Sequence, residues 1–120
     1  MPDTNANPTI QFTPEFKRNL RALAKKYRRI RDDIEPIIAE LQTGSLPGEQ
    51  VQGIGYTIFK VRAPNRDRAK GNSGGYRIIY YVKTATEIVL VTIYSKTEQA
   101  DISTARIRRI VSEFRGESSL

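Results

Sequence analysis

Residues 76–95 read YRIIYYVKTATEIVLVTIYS, two apolar runs that are joined by the short polar segment KTATE. Both runs are rich in β-branched and aromatic residues, which favour strands over helices. A third run of the same kind, YTIFKVR at 56–62, precedes them and is separated from them by a long basic loop. Because successive strands tend to pair with their neighbours along the chain, the stretch predicts a three-stranded antiparallel meander between residues 56 and 95.

A helix-start signal precedes this sheet, at residues 13–15 (TPE). Thr13 can cap a helix, Pro14 fits the first helical position, and Glu15 faces the positive end of the helix dipole. Apolar residues then recur at helical spacing with basic residues between them; the apolar set is Phe16, Leu20, Leu23, Ala24 and Tyr27. This pattern predicts an amphipathic first helix.

A second helix is predicted directly afterwards, because RRIR at 28–31 forms only a short link. We expect it to begin near Asp32–Asp33, to accept Pro36 in its first turn, and to end at Thr43–Gly44. The two helices would then form an antiparallel hairpin. The segment that follows, 44–55, is rich in Gly and Pro and predicts a loop rather than a domain boundary, since neither flank could fold alone.

Two short segments complete the predicted fold. TIQF at 9–12 has the composition of a strand, and IRRIVSEF at 107–114 places its apolar residues on one helical face, with Ser103 in position to cap that helix. We therefore predict an α+β fold in the order β-α-α-β-β-β-α, with a small antiparallel sheet, an N-terminal helical hairpin and a C-terminal helix.

The composition allows one domain and limits its chemistry. A chain of 120 residues suits a single core; we assign it to residues 9–115, between a disordered N-terminus at 1–8 and a C-terminal tail at 116–120. No apolar run approaches the ~20 residues of a membrane span and no secretory signal is visible, so we expect a cytoplasmic protein. The chain has no Cys and no His, which excludes Cys-His pairs, Ser-His-Asp triads and zinc sites, and we expect no metal and no cofactor.

Positive charge is concentrated at residues 60–77, KVRAPNRDRAKGNSGGYR, in a chain of formal net charge +7. The six cations of this stretch, against the single acid Asp67, are Lys60, Arg62, Arg66, Arg68, Lys70 and Arg77. Side chains alternate along a strand, so antiparallel pairing would bring Arg77 near Lys60 and Arg62 on one face. We expect these cations to bind a polyanion, nucleic acid being the first candidate. The alternative is a solvated loop, against which stands the position of Arg77 in an apolar strand.

Three segments carry a family resemblance: GYTIFKVR at 55–62, KGNSGGYRIIYY at 70–81 and LVTIYSKTEQADIS at 90–103. Over roughly residues 9–115 the chain resembles the RelE/ParE superfamily of bacterial type II toxins. Within it the pattern is most similar to the HigB-like branch, in which a KGKSGG-type loop precedes an RxIYY strand. Families of this kind are single α+β domains with helices packed on one face of a small antiparallel sheet. RelE and HigB members cleave mRNA on the translating ribosome, whereas ParE members inhibit DNA gyrase without cutting RNA.

The resemblance implies site residues for metal-independent RNA cleavage, in which the 2′-hydroxyl attacks the adjacent phosphate. Arg77 matches the arginine that RelE enzymes carry in GYR, which implies that it stabilises the charge of the transition state. Lys60 matches a lysine of the same enzymes and is a second catalytic candidate. Arg62 lies at another matched basic position, and we expect it to bind RNA together with three loop cations, Arg66, Arg68 and Lys70.

Two positions depart from the RelE pattern. RelE enzymes have a tyrosine, proposed as the general base, where this chain has Ser103, and an arginine where it has Thr97. Tyr94 and Lys96, at the end of the last strand, are the nearest replacements, and we expect a cationic pocket to lower the pKa of Tyr94. The alternative is that Tyr94 is an ordinary aromatic residue at a strand end.

The remaining polar and aromatic candidates have simpler interpretations. Asp32, Asp33 and Glu35 fit a helix start better than a metal site. Tyr80 and Tyr81 are interpreted as core and sheet-face residues, although one of them could stack on a base. The basic side of the first helix is compatible both with contact to ribosomal RNA and with a solvated surface.

Three function classes remain open. The preferred one is a ribosome-dependent mRNA endonuclease; the others are a ParE-like gyrase inhibitor and a non-catalytic member that binds only RNA or its antitoxin. For all of them the resemblance implies a cognate antitoxin, and we expect it to cover the basic groove or the adjacent helices with an acidic segment that folds on binding. The antitoxin would also carry the complex to operator DNA. No membrane partner is expected.

Overall fold

The computed structural model describes residues 7–67 and 74–116. The elements follow in the order β1 (Thr9–Phe12), α1 (Pro14–Lys26), α2 (Ile30–Gln42), β2 (Glu49–Val51), β3 (Ile58–Ala63), β4 (Tyr76–Thr84), β5 (Glu87–Ser95) and α3 (Thr104–Phe114). The predicted α+β class and element order are confirmed, with β2 as an addition. Most of the N-terminus expected to be disordered, residues 1–6, lies outside the described residues, as do residues 117–120.

The five strands form one sheet in the order β1-β5-β4-β3-β2. β3, β4 and β5 pair antiparallel, which confirms the predicted meander. β2 pairs antiparallel with β3 in the segment that was predicted as a loop; the prediction missed it because EQV has no alternating apolar pattern and becomes a strand only through this pairing. β1 runs parallel to β5, from Thr9 opposite Glu87 to Phe12 opposite Leu90. The sheet is therefore mixed, and the expectation of a purely antiparallel sheet was wrong.

In the middle of the β4–β5 ladder, β5 contains one residue more than β4. Ile79 lies opposite Thr92 and Tyr80 opposite Leu90, so Val91 has no counterpart on β4. A β-bulge of this kind bends the strand and increases its local twist. The bulge lies just beyond the end of β1. The outer edge of β5 therefore pairs with β1 up to Leu90, and from Val91 onward it is bordered by side chains of the α1 region, beginning with Thr13.

α1 and α2 cover one face of the sheet, which we call the hairpin face. Its core is made of buried residues from both helices and from β3, β4 and β5, among them Phe16, Leu23, Ile34, Leu41, Val61, Ile78, Tyr80 and Leu90. Aromatic contacts join the helices to the sheet: the ring of Tyr27 packs edge-on against the ring of Tyr76, with the ring centroids 5.9 Å apart. Each apolar side chain fully buried in this way contributes about 2 kcal/mol, which is what holds the helical hairpin on the sheet.

α3 covers part of the opposite face, which we call the α3 face. Ile107, Ile110 and Val111 pack there against sheet residues that include Ile79 and Tyr81. Toward the C-terminal end of β3 and the N-terminal end of β4, the same face changes from apolar to charged. None of the helices in the described residues is long and apolar enough to cross a membrane.

Thr13 joins the start of α1 to β5 and confirms the predicted cap. Its hydroxyl accepts the N–H of Phe16 at 2.9 Å and donates to the carbonyl of Val91 at 2.7 Å. Its own N–H reaches the carbonyl of Leu90 at 3.1 Å. The side chain is fully buried, so these bonds replace water that cannot reach either partner.

α2 begins at Ile30, earlier than predicted, and Pro36 therefore lies in its second turn rather than its first. The early start depends on a partner distant in sequence, because the carboxylate of Asp67 accepts the N–H of Arg29 at 2.8 Å. Pro36 leaves the carbonyl of Asp32 without its helical donor, and both residues are exposed, so water can satisfy that carbonyl. The predicted end is confirmed, with Thr43 as the C-cap and Gly44 at φ +93°.

Replacing Thr13 by Ala should lower the free energy of unfolding by about 2–4 kcal/mol, because the change removes a helix cap and leaves the buried carbonyl of Val91 without a donor. Urea unfolding measures the loss. Thr43→Ala is the matched control, since the Thr43 hydroxyl bonds to the carbonyl of Glu40 at an exposed helix end; its loss should stay near about 0.5 kcal/mol. Equal losses in the two variants would contradict the role of Thr13.

Candidate functional site

Three side chains lie in a line across β3, β4 and β5 on the α3 face. Arg62 is opposite Arg77, and Arg77 is opposite Tyr94. Directly opposed residues share a face and have Cβ atoms roughly 5 Å apart. Lys60 lies two residues from Arg62 on the same strand and therefore on the same face. The predicted convergence of Lys60, Arg62 and Arg77 is confirmed, and we refer to these three residues as the basic row.

Gly75 lets the start of β4 approach the end of β3. It has φ +67°, and a Cβ atom at this position would lie 2.1 Å from the carbonyl oxygen of Ala63. Only glycine fits there without displacing backbone. The neighbouring Gly74 carbonyl accepts one N–H of Arg77 at 2.6 Å. Because a guanidinium has five N–H donors, Arg77 is held in place and retains donors for a ligand.

Asp101, in the linker between β5 and α3, reaches the basic row and was not predicted as a site residue. Its Oδ1 accepts the Tyr94 hydroxyl at 3.2 Å, the Lys60 ammonium at 3.3 Å and the N–H of Ile102 at 2.8 Å. The Ile102 N–H first, and then Lys60, hold the pKa of Asp101 below its usual range. Asp101 is therefore an ionised carboxylate beside the row. Its position follows from the path of the linker, which no local sequence pattern indicates.

The pKa of Tyr94 is shifted in the opposite direction to the one expected from the sequence. Burial raises its pKa to about 12, the charge of Asp101 and their hydrogen bond add to the rise, and Arg77 lowers it by a smaller amount. The expected lowering of this pKa was wrong because the phenol is buried and because the charged group bonded to it is a carboxylate and not a cation. At neutral pH the phenol keeps its proton.

The other residues singled out beyond β5 bond within that segment. Lys96 donates from Nζ to the carbonyl of Ala100 at 2.6 Å, and the hydroxyls of Thr97 and Ser95 lie 3.0 Å apart. Ser103 caps α3 as predicted, accepting the N–H of Arg106 at 3.1 Å. The ammonium of Lys96 is thus held by the turn that follows β5.

Arg66, which was predicted to bind RNA, is paired with the buried Asp33. The Asp33 carboxylate accepts the backbone N–H of Arg66 at 3.0 Å and lies 3.0 Å from its Nε. The interpretation of Asp33 as a simple helix-start residue was incomplete, because its side chain is fully buried and fastens the loop after β3 to α2. Arg68 and Lys70 lie outside the described residues. Within the part that is described, no three potential metal ligands come together.

The two tyrosines of the central strand occupy the positions predicted for them. Tyr80 is buried on the hairpin face, where its ring stacks on Phe59 at 5.3 Å and its hydroxyl donates to the carbonyl of Pro47 at 2.5 Å. Tyr81 is buried on the α3 face and its hydroxyl accepts a hydrogen bond from Arg115. Both are structural in this arrangement.

A small α+β domain with cations gathered on one face of its sheet has the features of a type II toxin of the RelE/ParE superfamily. Residues 10–100 match the family model of the ParE toxin of the type II toxin–antitoxin system parDE. The match extends over more than half of the chain, which belongs to this family. Membership confirms the superfamily and implies a cognate antitoxin, whereas the HigB-like branch stays a prediction.

Asp101→Asn should lower the pKa of Tyr94 below 12, because it removes the negative charge that opposes ionisation of the phenol. Burial remains, so the pKa should stay above the ~10 of free tyrosine. Ultraviolet titration of tyrosinate measures it, with Tyr94→Phe subtracted to isolate this residue. The control is Asp32→Asn, an exposed acid on α2. An unchanged Tyr94 titration in Asp101→Asn would refute the contact.

Proposed function

We propose that this toxin is an endoribonuclease that cuts mRNA on the translating ribosome, by attack of a 2′-hydroxyl on the adjacent phosphate. The observation that carries the proposal is the alignment of Arg62, Arg77 and Tyr94 on three adjacent strands, with Lys60 and Asp101 beside them. Positive charge, a proton donor and a proton acceptor then lie around one place where a phosphate can bind.

Arg77 and Lys60 supply the charge that cleavage requires. Negative charge develops on the phosphate oxygens as the 2′ oxygen attacks, and preorganised cations that neutralise it are usually the largest catalytic contribution. Arg77 suits this role because its planar fork matches two phosphate oxygens and one of its N–H groups is already fixed by Gly74. Arg62 lies opposite Arg77 on β3, where it would hold the RNA backbone.

At neutral pH Asp101 is ionised and Tyr94 is protonated, which are the forms that a general base and a general acid require. Asp101 accepts the proton of the 2′-hydroxyl while the bond between O2′ and phosphorus forms. The bond between phosphorus and O5′ then breaks, and Tyr94 gives its proton to O5′. The products are a 2′,3′-cyclic phosphate and a free 5′-hydroxyl. Tyr94 thus serves as the acid rather than as a replacement base.

This assignment accounts for the departures from the RelE pattern. Ser103 occupies the place of the RelE tyrosine and caps α3 instead. Asp101, two residues earlier on the same linker, provides a proton acceptor there. Lys96 adds a positive charge at the end of β5, where it would replace the arginine that is missing at Thr97.

Inhibition of DNA gyrase is the second candidate. The matched family model is that of the ParE toxin, and ParE members of the superfamily act on gyrase. The retained proton of Tyr94 is also compatible with a site that performs no base catalysis. A non-catalytic protein that binds only RNA or its antitoxin is the third possibility.

One pair of assays separates these functions. The purified toxin is added to a translating extract and, separately, to gyrase with supercoiled DNA. The proposal predicts that message is cut only while it is translated, leaving 2′,3′-cyclic ends, and that gyrase continues to work. Loss of gyrase activity with intact message would establish the second candidate, and no effect in either system would leave binding alone.

Arg77→Ala should reduce message cleavage by about 10²–10³-fold, the usual loss when one preorganised donor to a developing anion is removed. The fold should survive, since Arg77 is only half-buried. Lys83→Ala is the matched control because Lys83 is an exposed cation near the other end of β4. Cleavage ends are counted in the extract and folding is followed by thermal unfolding. Normal cleavage by a folded Arg77→Ala protein would overturn the assignment.

Asp101→Asn and Tyr94→Phe should each slow cleavage by about 10²-fold or more, the typical contribution of one positioned acid or base. They should respond differently to a message in which sulfur replaces O5′ at the cleavage site, because a thiolate leaves without needing a proton: the sulfur substrate should restore cleavage by Tyr94→Phe but not by Asp101→Asn. Single-turnover rates with the oxygen and sulfur substrates measure both. Equal rescue of the two variants would show that the residues do not divide the roles.

We further propose that the cognate antitoxin silences the toxin by covering the basic row with an acidic segment. Such a segment would fold on binding, and its encounter with the toxin would be accelerated by opposite charge. The complex would reach operator DNA through the antitoxin.

A further inference from the structure

A trough runs along the free half of β5, between α1 and the linker that leads to α3. Beyond the bulge, side chains of the α1 region replace β1 at this edge: Thr13 bonds to the carbonyl of Val91, and the Nδ2 of Asn19 to the carbonyl of Ile93 at 3.3 Å. The opposite wall is formed by linker residues 98–103.

The trough consists of two adjoining clefts of about 260 and 340 Å³ that share Asn19 and Gln99 in their linings. Tyr94 lines one of them and Asp101 lines the other. The clefts therefore meet the basic row at the pair of residues assigned to proton transfer. Volumes near ~300 Å³ are at the lower end for small-ligand sites, which suits a group the size of one nucleoside.

The charges in the trough are largely paired, and amide groups remain for a ligand. Glu15 is ion-paired with Arg106 at 2.7 Å and accepts the hydroxyl of Thr92 at 3.2 Å. The Nδ2 of Asn19 is used by the Thr92 hydroxyl at 3.0 Å and by Ile93, which leaves its Oδ1 as an acceptor. Gln99 donates from Nε2 to the carbonyl of Asp101 at 2.9 Å and keeps one N–H and its Oε1.

Proteins recognise RNA sequence mainly through unstacked bases, whose edges carry hydrogen-bond donors and acceptors. A side-chain amide that offers a donor beside an acceptor can bind such an edge. Side-chain amides pair best with adenine, whose N6 donor and N7 acceptor they match. A base next to a phosphate on Arg77 would reach the trough by leaving the stack and passing Tyr94, which lies opposite Arg77 and lines the trough.

We propose that the trough is a nucleobase subsite, in which Asn19 and Gln99 read the base next to the scissile phosphate and favour adenine. The proposal rests on the proposed function, since it assumes that the basic row holds the phosphate of an RNA. It adds a base preference beside the cut, determined by residues outside the basic row.

Binding of mononucleotides tests the subsite without requiring cleavage. Adenosine 5′-monophosphate is titrated into ¹⁵N-labelled protein, with ribose 5-phosphate as the ligand that lacks a base. The nucleotide should shift the side-chain amides of Asn19 and Gln99 with saturation, while ribose 5-phosphate should shift only the basic row. Gln99→Ala should weaken nucleotide binding about tenfold, and Gln42→Ala, an exposed glutamine at the end of α2, should not. Equal shifts with both ligands would overturn the subsite.

Mapping of cleavage sites in a translating extract tests the base preference. Wild-type toxin should cut beside adenine more often than its frequency in the message, and Gln99→Ala should flatten that bias while cleavage continues; Gln42→Ala should retain it. An unchanged bias in Gln99→Ala would refute the reading role. A wild-type protein that cuts no message would refute the proposed function instead, and the mononucleotide titration would still decide whether the trough binds a base.

Discussion

The register of β4 between β3 and β5 is the constraint on which the rest of the structure depends. It brings Arg77 opposite both Arg62 and Tyr94 and, in the same pairing, buries Tyr76, Ile78 and Tyr80 on the hairpin face. A slip of one residue would move every one of these side chains to the other face, exposing large apolar groups and burying a guanidinium. The hydrophobic core and the basic row are therefore fixed by a single set of backbone hydrogen bonds. The packing of the core therefore also fixes the position of Arg77, because any other register of β4 would disrupt that packing.

The loop after β3 illustrates how charge is distributed between structure and function. Two acids connect this basic segment to α2. Asp33, on α2, is ion-paired with Arg66 of the loop, and Asp67, in the loop, accepts the N–H of Arg29 at the start of α2. These contacts fasten the loop to the hairpin side of the molecule, while Lys60, Arg62 and Arg77 remain on the other face. The loop thus contributes to folding before it contributes to binding, and a count of cations in the sequence overstates how many are free for a ligand.

Features that depend on near neighbours in the chain could be predicted from the sequence. Thr13 and Ser103 act as caps because their hydroxyls need only reach the N–H three residues ahead, and the strands of the meander have unmistakable composition. Lys60, Arg62 and Arg77 could be brought together because alternation and antiparallel pairing suffice. The parallel pairing of β1, the contact of Asp101 with Tyr94 and the partner of Asp33 all join segments distant in sequence. The pKa of Tyr94 was misjudged for the same reason, since its burial, and then a carboxylate from the linker, outweigh the effect of Arg77.

The bulge at Val91 determines which side of the sheet Tyr94 occupies. Before the bulge, Leu90 faces the hairpin side together with Tyr80; if the same residues paired without a bulge, Arg77 would oppose Ile93, and Tyr94 would turn into the hydrophobic core. One inserted residue shifts the phase of all that follows in β5, so Ile93 enters the core and Tyr94 joins the arginines. The chemistry of this surface therefore depends on how β5 pairs with β4 as well as on residue identity. Deletion of Val91 would remove the bulge and leave Tyr94 opposite Arg77, whereas regular pairing of the unchanged sequence would carry the phenol away from the arginines while every residue of the site stayed in the chain.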